Sequence, residues 1–139
     1  MKQLEELYKE LEQYNIPVIK VEFPVKKAGS ISNGKDTIIA VDYSKIKDSK
    51  EEKRIIAEEK AHYETGTFYS FNADKATIDK MEYKANKRVY NELIPYDELK
   101  AMCEKEMSVV ELSDHFGIPI QDVLIAQFLY TNIENYKEA

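Results

Sequence analysis

The sequence predicts an α+β fold, with one helix and a small antiparallel sheet first and further helices after them. Three observations indicate this fold class. Apolar residues recur at helical spacing near the start, apolar and polar residues alternate over the next stretch, and helical spacing returns after Asp42 and continues. The 139 residues suit one domain, which we divide into a core at 1–94 and a C-terminal helical subregion at 95–139.

The first third of the chain carries the predicted sheet and the helix before it. Leucine and tyrosine residues at spacings of three and four predict an amphipathic helix that ends at Pro17, and they are Leu4, Leu7, Tyr8, Leu11 and Tyr14. Every second residue from Ile19 to Phe23 is apolar, which predicts a strand with one buried face. Asn33 and Gly34 stand between two strand-like runs. This pair predicts a type I′ hairpin turn, because both central residues of that turn need positive φ.

The rest of the chain is predicted to be helical. Helical spacing covers the ranges 49–64, 75–93, 96–105, 108–115 and 120–134. Breaks fall at Gly66, at Pro95 and at the "GIP" of 117–119. No internal repeat, low-complexity tract or flexible linker interrupts this series.

Composition limits the class of protein. A chain that is 43% hydrophobic and 33% charged is typical of a globular protein, and no run approaches the ~18 apolar residues of a membrane span. The start of the chain lacks the apolar core of a signal peptide, so we expect a cytoplasmic protein. A net charge of -6 disfavours nucleic acid as a partner, because phosphate binding depends on Lys and Arg. The single cysteine, Cys103, excludes an internal disulfide and a Cys-based zinc site.

The stretch "IIAEEKAHYETG" at 55–66 holds residues suited to chemistry. The inward face of its predicted helix consists of Ile55, Ile56, Glu59, His62 and Tyr63. Glu58 lies one turn before His62 on the flank of that face, so their side chains can meet. Other charged residues point largely elsewhere, namely Glu51, Lys53, Arg54 and Lys60. Two interpretations remain open: the carboxylates are exposed and the histidine packs, or they form an inward group, since buried carboxylates need a partner or a metal.

The next predicted helix has an acid on its apolar stripe. The stripe consists of Ile78, Ala85, Val89 and Leu93. Glu82 stands where this spacing requires an apolar residue. One interpretation gives Glu82 an intramolecular salt bridge. The other places it opposite Glu58 and His62 across two packed helices, where it completes a three-ligand site with Glu59 beside it.

Three protein ligands and a neighbouring carboxylate are the arrangement of a catalytic zinc site. Such a site leaves one position for a water, whose pKa the metal lowers to roughly 7. A carboxylate that is not a ligand can then take the proton of that water. In the H-E-x-x-H pattern the ligands at i and i+4 share a helix face with the base at i+1. The same spacing here reads E-E-x-x-H, at Glu58, Glu59 and His62.

Three segments carry a family resemblance. "KRIIAEEKAHYETGT" resembles the active-site helix of the ImmA/IrrE-type metallopeptidases of phages and mobile elements, whose common form is similar to "KR-I-AHELGHYYTG". "EYKANKRVYNELIPYDEL" is similar to the following segment of that family, in which a Glu precedes Ala-Asn and a Leu-(Ile/Leu)-Pro closes the helix. The hairpin before them and the ending "SVVELSDHFGIPIQDVLIAQFL" extend the resemblance over nearly the whole chain.

The resemblance implies roles for individual residues. His62 and Glu82 would be metal ligands and Glu59 the general base, while Glu58 stands in place of the first histidine of the family. A glutamate oxygen can bind zinc, so the implied cofactor is Zn²⁺. Because the second carboxylate lowers the residual charge of such a site, we expect the ion to be bound weakly or to be absent from the isolated protein, and Mn²⁺ to be tolerated. The implied activity is that of a metalloendopeptidase whose substrate is a helix-turn-helix repressor. We expect a strand within Ile31 to Val41 to line the cleft and to hold the substrate extended.

Two further functions remain open. One is a catalytically silent relative of these peptidases that acts by binding a partner protein. The other is a DNA-binding regulator, because 112–116, Gly117 and 123–129 would suit a helix-turn-helix. The second helix of that unit has no Lys or Arg before Lys137, however, so it lacks the usual contacts to guanine and phosphate. We therefore interpret it as a packing or partner-binding unit, with His115 as a capping or surface residue.

Overall fold

A computed structural model describes residues 1–70 and 72–131 of the chain. Its elements follow the predicted order, and they are α1 (Leu4–Gln13), β1 (Val18–Lys20), β2 (Ala28–Ser32), β3 (Thr37–Val41), a short 3₁₀ turn (Tyr43–Lys45), α2 (Ser49–Thr65), α3 (Lys75–Leu93), α4 (Tyr96–Glu104), α5 (Val109–Phe116) and α6 (Ile120–Tyr130). The predicted α+β fold class is confirmed. The predicted extension of the last helix to 134 lies outside the described residues.

The sheet is mixed, so the prediction of an antiparallel sheet is wrong for one strand. β3 lies in the centre, with β2 antiparallel on one side and β1 parallel on the other. Because β2 pairs with one edge of β3 in the hairpin, β1 pairs with the other edge. The connection at 21–27 therefore carries the chain from one side of the sheet to the other. β1 is also shorter than predicted, and Ile19 is 44% exposed instead of buried.

The hairpin loop differs from the predicted type I′ turn. Ser32 pairs with Thr37, which leaves a four-residue loop at 33–36. Gly34 has a φ of +88°, but Asn33 is not among the residues with positive φ. Instead the Asn33 side chain accepts hydrogen bonds from the backbone N–H groups of Lys35 and Asp36, at 2.9 Å and 2.7 Å. Asn33 therefore closes the loop through its side chain, and its backbone needs no left-handed conformation.

α2 is the central helix and packs against α1, α3 and β2. It begins after Asp48, whose carboxylate accepts from the Glu51 N–H, and it ends at Gly66, whose φ is +65°. Lys53 and Lys60, which were predicted to lie away from the inward face, are buried at 4% and 0% exposure. Since neighbours surround α2 on several sides, the face opposite its apolar stripe is also covered.

Both buried lysines have partners that compensate their desolvation. Lys53 donates to the Phe116 carbonyl at 2.6 Å, and Lys60 pairs with Glu64 and Glu92 at 3.0 Å and 2.9 Å. These contacts join α2 to α3 and to the end of α5, while one cluster of buried apolar side chains includes residues from Leu7 to Tyr130.

No described helix combines the length and the apolarity that crossing a bilayer requires.

Candidate metal centre

α2 and α3 bring the three predicted metal ligands together. Glu58 and His62 project from the C-terminal half of α2, and Glu82 projects from α3, which packs against it. One possible ligand atom from each of the three residues lies within 4.8 Å of the other two. The two residues spaced by four on α2 and the acid that interrupts the apolar stripe of α3 therefore lie together. This is the arrangement predicted by the interpretation that places all three in one inward group.

The imidazole of His62 is oriented with one nitrogen toward this point. His62 is only 5% exposed, and its Nδ1 lies 2.9 Å from the Thr67 carbonyl oxygen. Because a carbonyl oxygen can only accept, Nδ1 carries the proton, and the other nitrogen, Nε2, lies 3.4 Å from Glu82 Oε1. A backbone partner of this kind is how proteins fix the tautomer of a metal-binding histidine.

Electrostatic pairing makes Glu82 the most acidic of the three groups. Its contact with the His62 imidazole when both ring nitrogens are protonated, together with a hydrogen bond donated by the Tyr69 hydroxyl, lowers the pKa of Glu82 to about 2 against the cost of partial burial. Burial opposes a charged imidazole, but the contact with Glu82 raises the pKa of His62. Glu82 therefore faces the site as an ionised carboxylate.

Glu58 is harder to ionise than Glu82. Burial raises its pKa to about 7, although Arg54 favours the charged form, and the nearby Glu82 and Glu59 raise it further. Arg54 donates from one guanidinium nitrogen to Glu58 Oε2 at 2.8 Å. Carboxylates crowded in this way repel one another, and a bound cation would relieve that repulsion.

Glu59 lies beside the three-residue group and is not part of it. The residue is 8% exposed, and its Oε2 accepts a hydrogen bond from the Ser30 hydroxyl at 3.0 Å. Burial raises the pKa of Glu59 above its ordinary value, although the charge of His62 and the bond from Ser30 oppose that shift. A carboxylate with a raised pKa is better matched to proton transfer near neutral pH.

A cleft of about 360 Å³ opens onto all four of these side chains. One wall is the C-terminal half of α2 with Glu82 of α3, and the opposite wall includes residues 26–30. The strand at the cleft is therefore β2, and specifically its first half at 28–30. The expectation of a strand within Ile31 to Val41 is wrong in this respect, because β3 is the central strand and β2 is the edge beside α2.

Several residues that support the site were not predicted from the sequence. They are Ser30, Arg54, Thr67 and Tyr69. Arg54 precedes Glu58 by four residues, and that spacing was a usable signal for an ion pair. Ser30, Thr67 and Tyr69 come close only through the sheet and the turn after Gly66, so no local pattern marks them.

The donor set fits a divalent cation. Two carboxylates and one neutral imidazole offer oxygen and nitrogen ligands, which suit Zn²⁺ and also Mn²⁺. The burial of His62 and the fixed proton on its Nδ1 are what a preorganised site requires. Glu58, His62 and Glu82 are thus the residues that would hold the ion, with Glu59 in reach of the same cleft.

The helix pair α5–α6 exposes apolar residues in place of basic ones. The exposed large side chains of α6 are Ile120, Leu124, Ile125 and Phe128. The acidic residue of α6, Asp122, is buried. His115 of α5 pairs with Glu98 of α4 at 2.9 Å. Within the described residues, this helix pair has no Lys or Arg with which to contact the phosphates of a DNA duplex.

Comparison with known proteins assigns no family. The chain matches no protein-family model, no curated protein and no solved structure. The geometry of the acidic histidine-containing group and its cleft is consequently the basis for a functional interpretation.

Proposed function

We propose that the protein is a small zinc-dependent endopeptidase of the ImmA/IrrE type. The observation that carries this proposal is the meeting of Glu58, His62 and Glu82 within 4.8 Å at a cleft that also holds Glu59. Three ligands and a separate buried carboxylate are the parts that metal-assisted hydrolysis of a peptide bond needs. The E-E-x-x-H spacing on α2 supplies three of these four residues.

Each of the four side chains would have a distinct task. When bound, Zn²⁺ supplies Lewis-acid chemistry, which polarises a peptide carbonyl and makes water a nucleophile near neutral pH. Glu58, His62 and Glu82 hold the ion, and the Thr67 carbonyl keeps the His62 ring in position. Glu59 takes the proton of the attacking water and returns it to the leaving amine, and Ser30 fixes its carboxylate.

The neighbouring sheet edge suits an extended peptide. β2 pairs with β3 on one side only, and its residues 28–30 line the cleft. A substrate strand can therefore add to the free side of β2 and lie across Glu59. We propose a protein substrate, a helix-turn-helix repressor of a phage or mobile element, and the cytoplasm as the compartment where the two meet.

A combined metal and peptidase assay tests this proposal. The protein is loaded with Zn²⁺ and offered a quenched-fluorescence peptide library and the repressor encoded nearest to its gene. We expect hydrolysis that a chelator abolishes and that Glu82→Ala removes together with the metal. Glu98→Ala is the matched control, because Glu98 also pairs with a histidine but lies on α4, away from the cleft. Equal activity in the two variants, or none in the zinc-loaded wild type, would contradict the proposal.

A silent partner-binding relative is the second candidate, and one observation favours it. Glu58 forms an ion pair with Arg54 at 2.8 Å. Such a pair is expected for a glutamate that stabilises the fold and binds no metal. On this interpretation the cleft binds a protein without cutting it. Binding of the repressor with no cleavage, and unchanged by chelation, would favour this candidate over the peptidase.

A further inference from the structure

Arg54 joins the proposed metal centre to two other helices. Its guanidinium donates to Glu58 on α2, to Asn86 on α3 and to Asp122 on α6, at 2.8 Å, 2.8 Å and 3.0 Å. The Arg54 side chain is 17% exposed and that of Asp122 is 11% exposed, so this contact is largely removed from water. The Tyr90 hydroxyl donates to the same oxygen of Asp122 at 2.8 Å, which holds that carboxylate in position.

The positively charged guanidinium of Arg54 thus pairs with two carboxylates that have different roles. Glu58 belongs to the group that would hold a metal, whereas Asp122 belongs to a helix that lines a different cavity. A cation that binds Glu58 meets the positive charge of Arg54 close by, and the two compete for the same carboxylate. Asp122 reduces this competition, because it neutralises part of the charge of Arg54 from the other side.

We propose that Arg54 is the built-in counter-ion of the metal centre and that Asp122 on α6 sets how strongly it competes with the metal. Arg54 is a positioning residue here, since it acts on the ion only through Glu58. The proposal rests on the metal centre described above and does not depend on peptide hydrolysis. By linkage, a metal that weakens the pairing of Arg54 with Glu58 strengthens its pairing with Asp122, so metal binding and the docking of α6 support each other.

Metal affinity in charge-changing variants tests the proposal. Zn²⁺ and Mn²⁺ are titrated into each protein by calorimetry, in competition with a chelator of known affinity, at fixed salt and at one pH well above the pKa of Glu58, so that this ligand is ionised in every variant. Arg54→Gln keeps an amide donor and removes the charge, so we expect binding tighter by about tenfold. Asp122→Asn keeps the shape and removes the charge that neutralises Arg54, so we expect binding weaker by about tenfold.

Matched controls separate this effect from net charge. Arg88→Gln removes a positive charge from α3, where Arg88 pairs with Glu64 at 3.2 Å. Asp114→Asn removes a negative charge from α5, where Asp114 pairs with Lys50 at 2.6 Å. We expect both controls to bind within about twofold of the wild type, because neither residue contacts Glu58 or Arg54. Circular dichroism checks that each variant folds, and if Asp122→Asn does not fold, Arg54→Gln alone decides.

The outcomes distinguish this proposal from the proposed function. Tighter binding by Arg54→Gln with an unchanged Arg88→Gln supports the counter-ion role, whereas equal or weaker binding by Arg54→Gln overturns it. If the wild type binds neither ion and Arg54→Gln does, the counter-ion role stands and the peptidase proposal fails. If neither protein binds an ion, both proposals fail.

Discussion

Glu58 and Glu59 are consecutive residues of α2 with different environments. Glu58 meets Arg54 and the Glu82 carboxylate, whereas Glu59 meets only the Ser30 hydroxyl among its hydrogen-bonding partners in the described residues. One-residue neighbours on a helix point about a quarter-turn apart, so adjacent acids can serve one site in separate ways. The proposed division of labour, ligand at Glu58 and base at Glu59, follows from this difference.

The first prediction concerns Glu59. If it is the general base, Glu59→Gln slows hydrolysis by roughly two to four orders of magnitude, because the amide cannot take a proton. The amide can still accept the bond from Ser30, so we expect the melting temperature and the bound zinc to stay close to those of the wild type. Turnover and zinc content are measured on the same preparation. Loss of zinc would make Glu59 a ligand, and unchanged turnover would remove it from the mechanism.

The second prediction concerns Glu58. Two carboxylates bring the formal charge of a Zn²⁺ site to zero, whereas two histidines and one carboxylate leave it at plus one and make the ion a stronger Lewis acid. We expect Glu58→His to bind zinc more tightly, to favour Zn²⁺ over Mn²⁺ and to hydrolyse peptides faster at neutral pH. Glu58→Gln is the control, because it also loses the charge but supplies a poorer ligand. Zinc binding by the histidine variant that is no tighter than that of the wild type would place residue 58 outside the ligand set.

The sequence is informative about individual residues where a local pattern is broken. Glu82 interrupts an apolar stripe, and the structure places it 3.4 Å from the His62 ring. Lys60 was assigned to the wrong face because its partner Glu92 lies on another helix, and no spacing within α2 reveals that contact. Residues that act through tertiary contacts, such as Thr67, carry no signal of their own in a single sequence.

At the scale of elements, the end of α2 positions the site. Gly66 has a φ of +65°, and the Thr67 N–H returns to the His62 carbonyl at 3.0 Å. This turn brings the Thr67 carbonyl to His62 Nδ1. The C-terminus of the helix and the orientation of a proposed ligand thus depend on the same two residues.

The third prediction tests that dependence. Gly66→Ala places a side chain at positive φ, so we expect it to lower the free energy of unfolding by about 1 kcal/mol. Gly66→Asn should cost less, because asparagine tolerates the left-handed conformation at a helix end. Urea denaturation of both variants with and without zinc measures the effect. Equal stability of the alanine and asparagine variants would contradict the assigned role of the turn.

Long, strongly periodic elements were predictable, and short ones were not. α2 and α3 were predicted to within about one residue of their ends, since caps and periodicity agree over many residues. β1 has three residues, too few for alternation to fix its buried face, and its parallel pairing depends on where the chain returns. The hairpin was predicted correctly, but its loop follows the hydrogen bonds of the Asn33 side chain rather than the preference of the Asn-Gly pair.

At the scale of the whole molecule, one buried acid joins the end of the sheet to the 3₁₀ turn that leads to α2 and to the connection at 21–27. Asp42 directly follows β3 and is 2% exposed. Its carboxylate accepts hydrogen bonds from the Lys45 ammonium and the Ser44 hydroxyl, both at 2.6 Å, and from the Phe23 N–H at 3.0 Å. The hydrogen bond from Lys45 has the largest effect, and together these donors hold the pKa of Asp42 well below its usual range. The ionised carboxylate is therefore favoured in the folded protein relative to the unfolded chain.

The fourth prediction is the pH dependence that follows. Because the folded pKa lies below the unfolded value of about 3.9, Asp42 contributes stability that is fully present above about pH 4 and is lost as the pH falls further. Asp42→Asn should therefore be less stable than the wild type at neutral pH, and the difference should shrink below about pH 4. Urea denaturation of both proteins across this range measures it. A difference that is independent of pH would show that Asp42 acts without its charge.

The most direct test of the central claim, that α2 and α3 build a metal centre, is anomalous diffraction at the zinc absorption edge from crystals of the zinc-loaded protein. We predict a single strong peak with His62 nitrogen and carboxylate oxygens of Glu58 and Glu82 at about 2.0–2.2 Å from it. Glu82→Ala crystals treated in the same way should lose that peak. A peak at the surface pair of His115 and Glu98 only, or no peak between α2 and α3, would contradict the account.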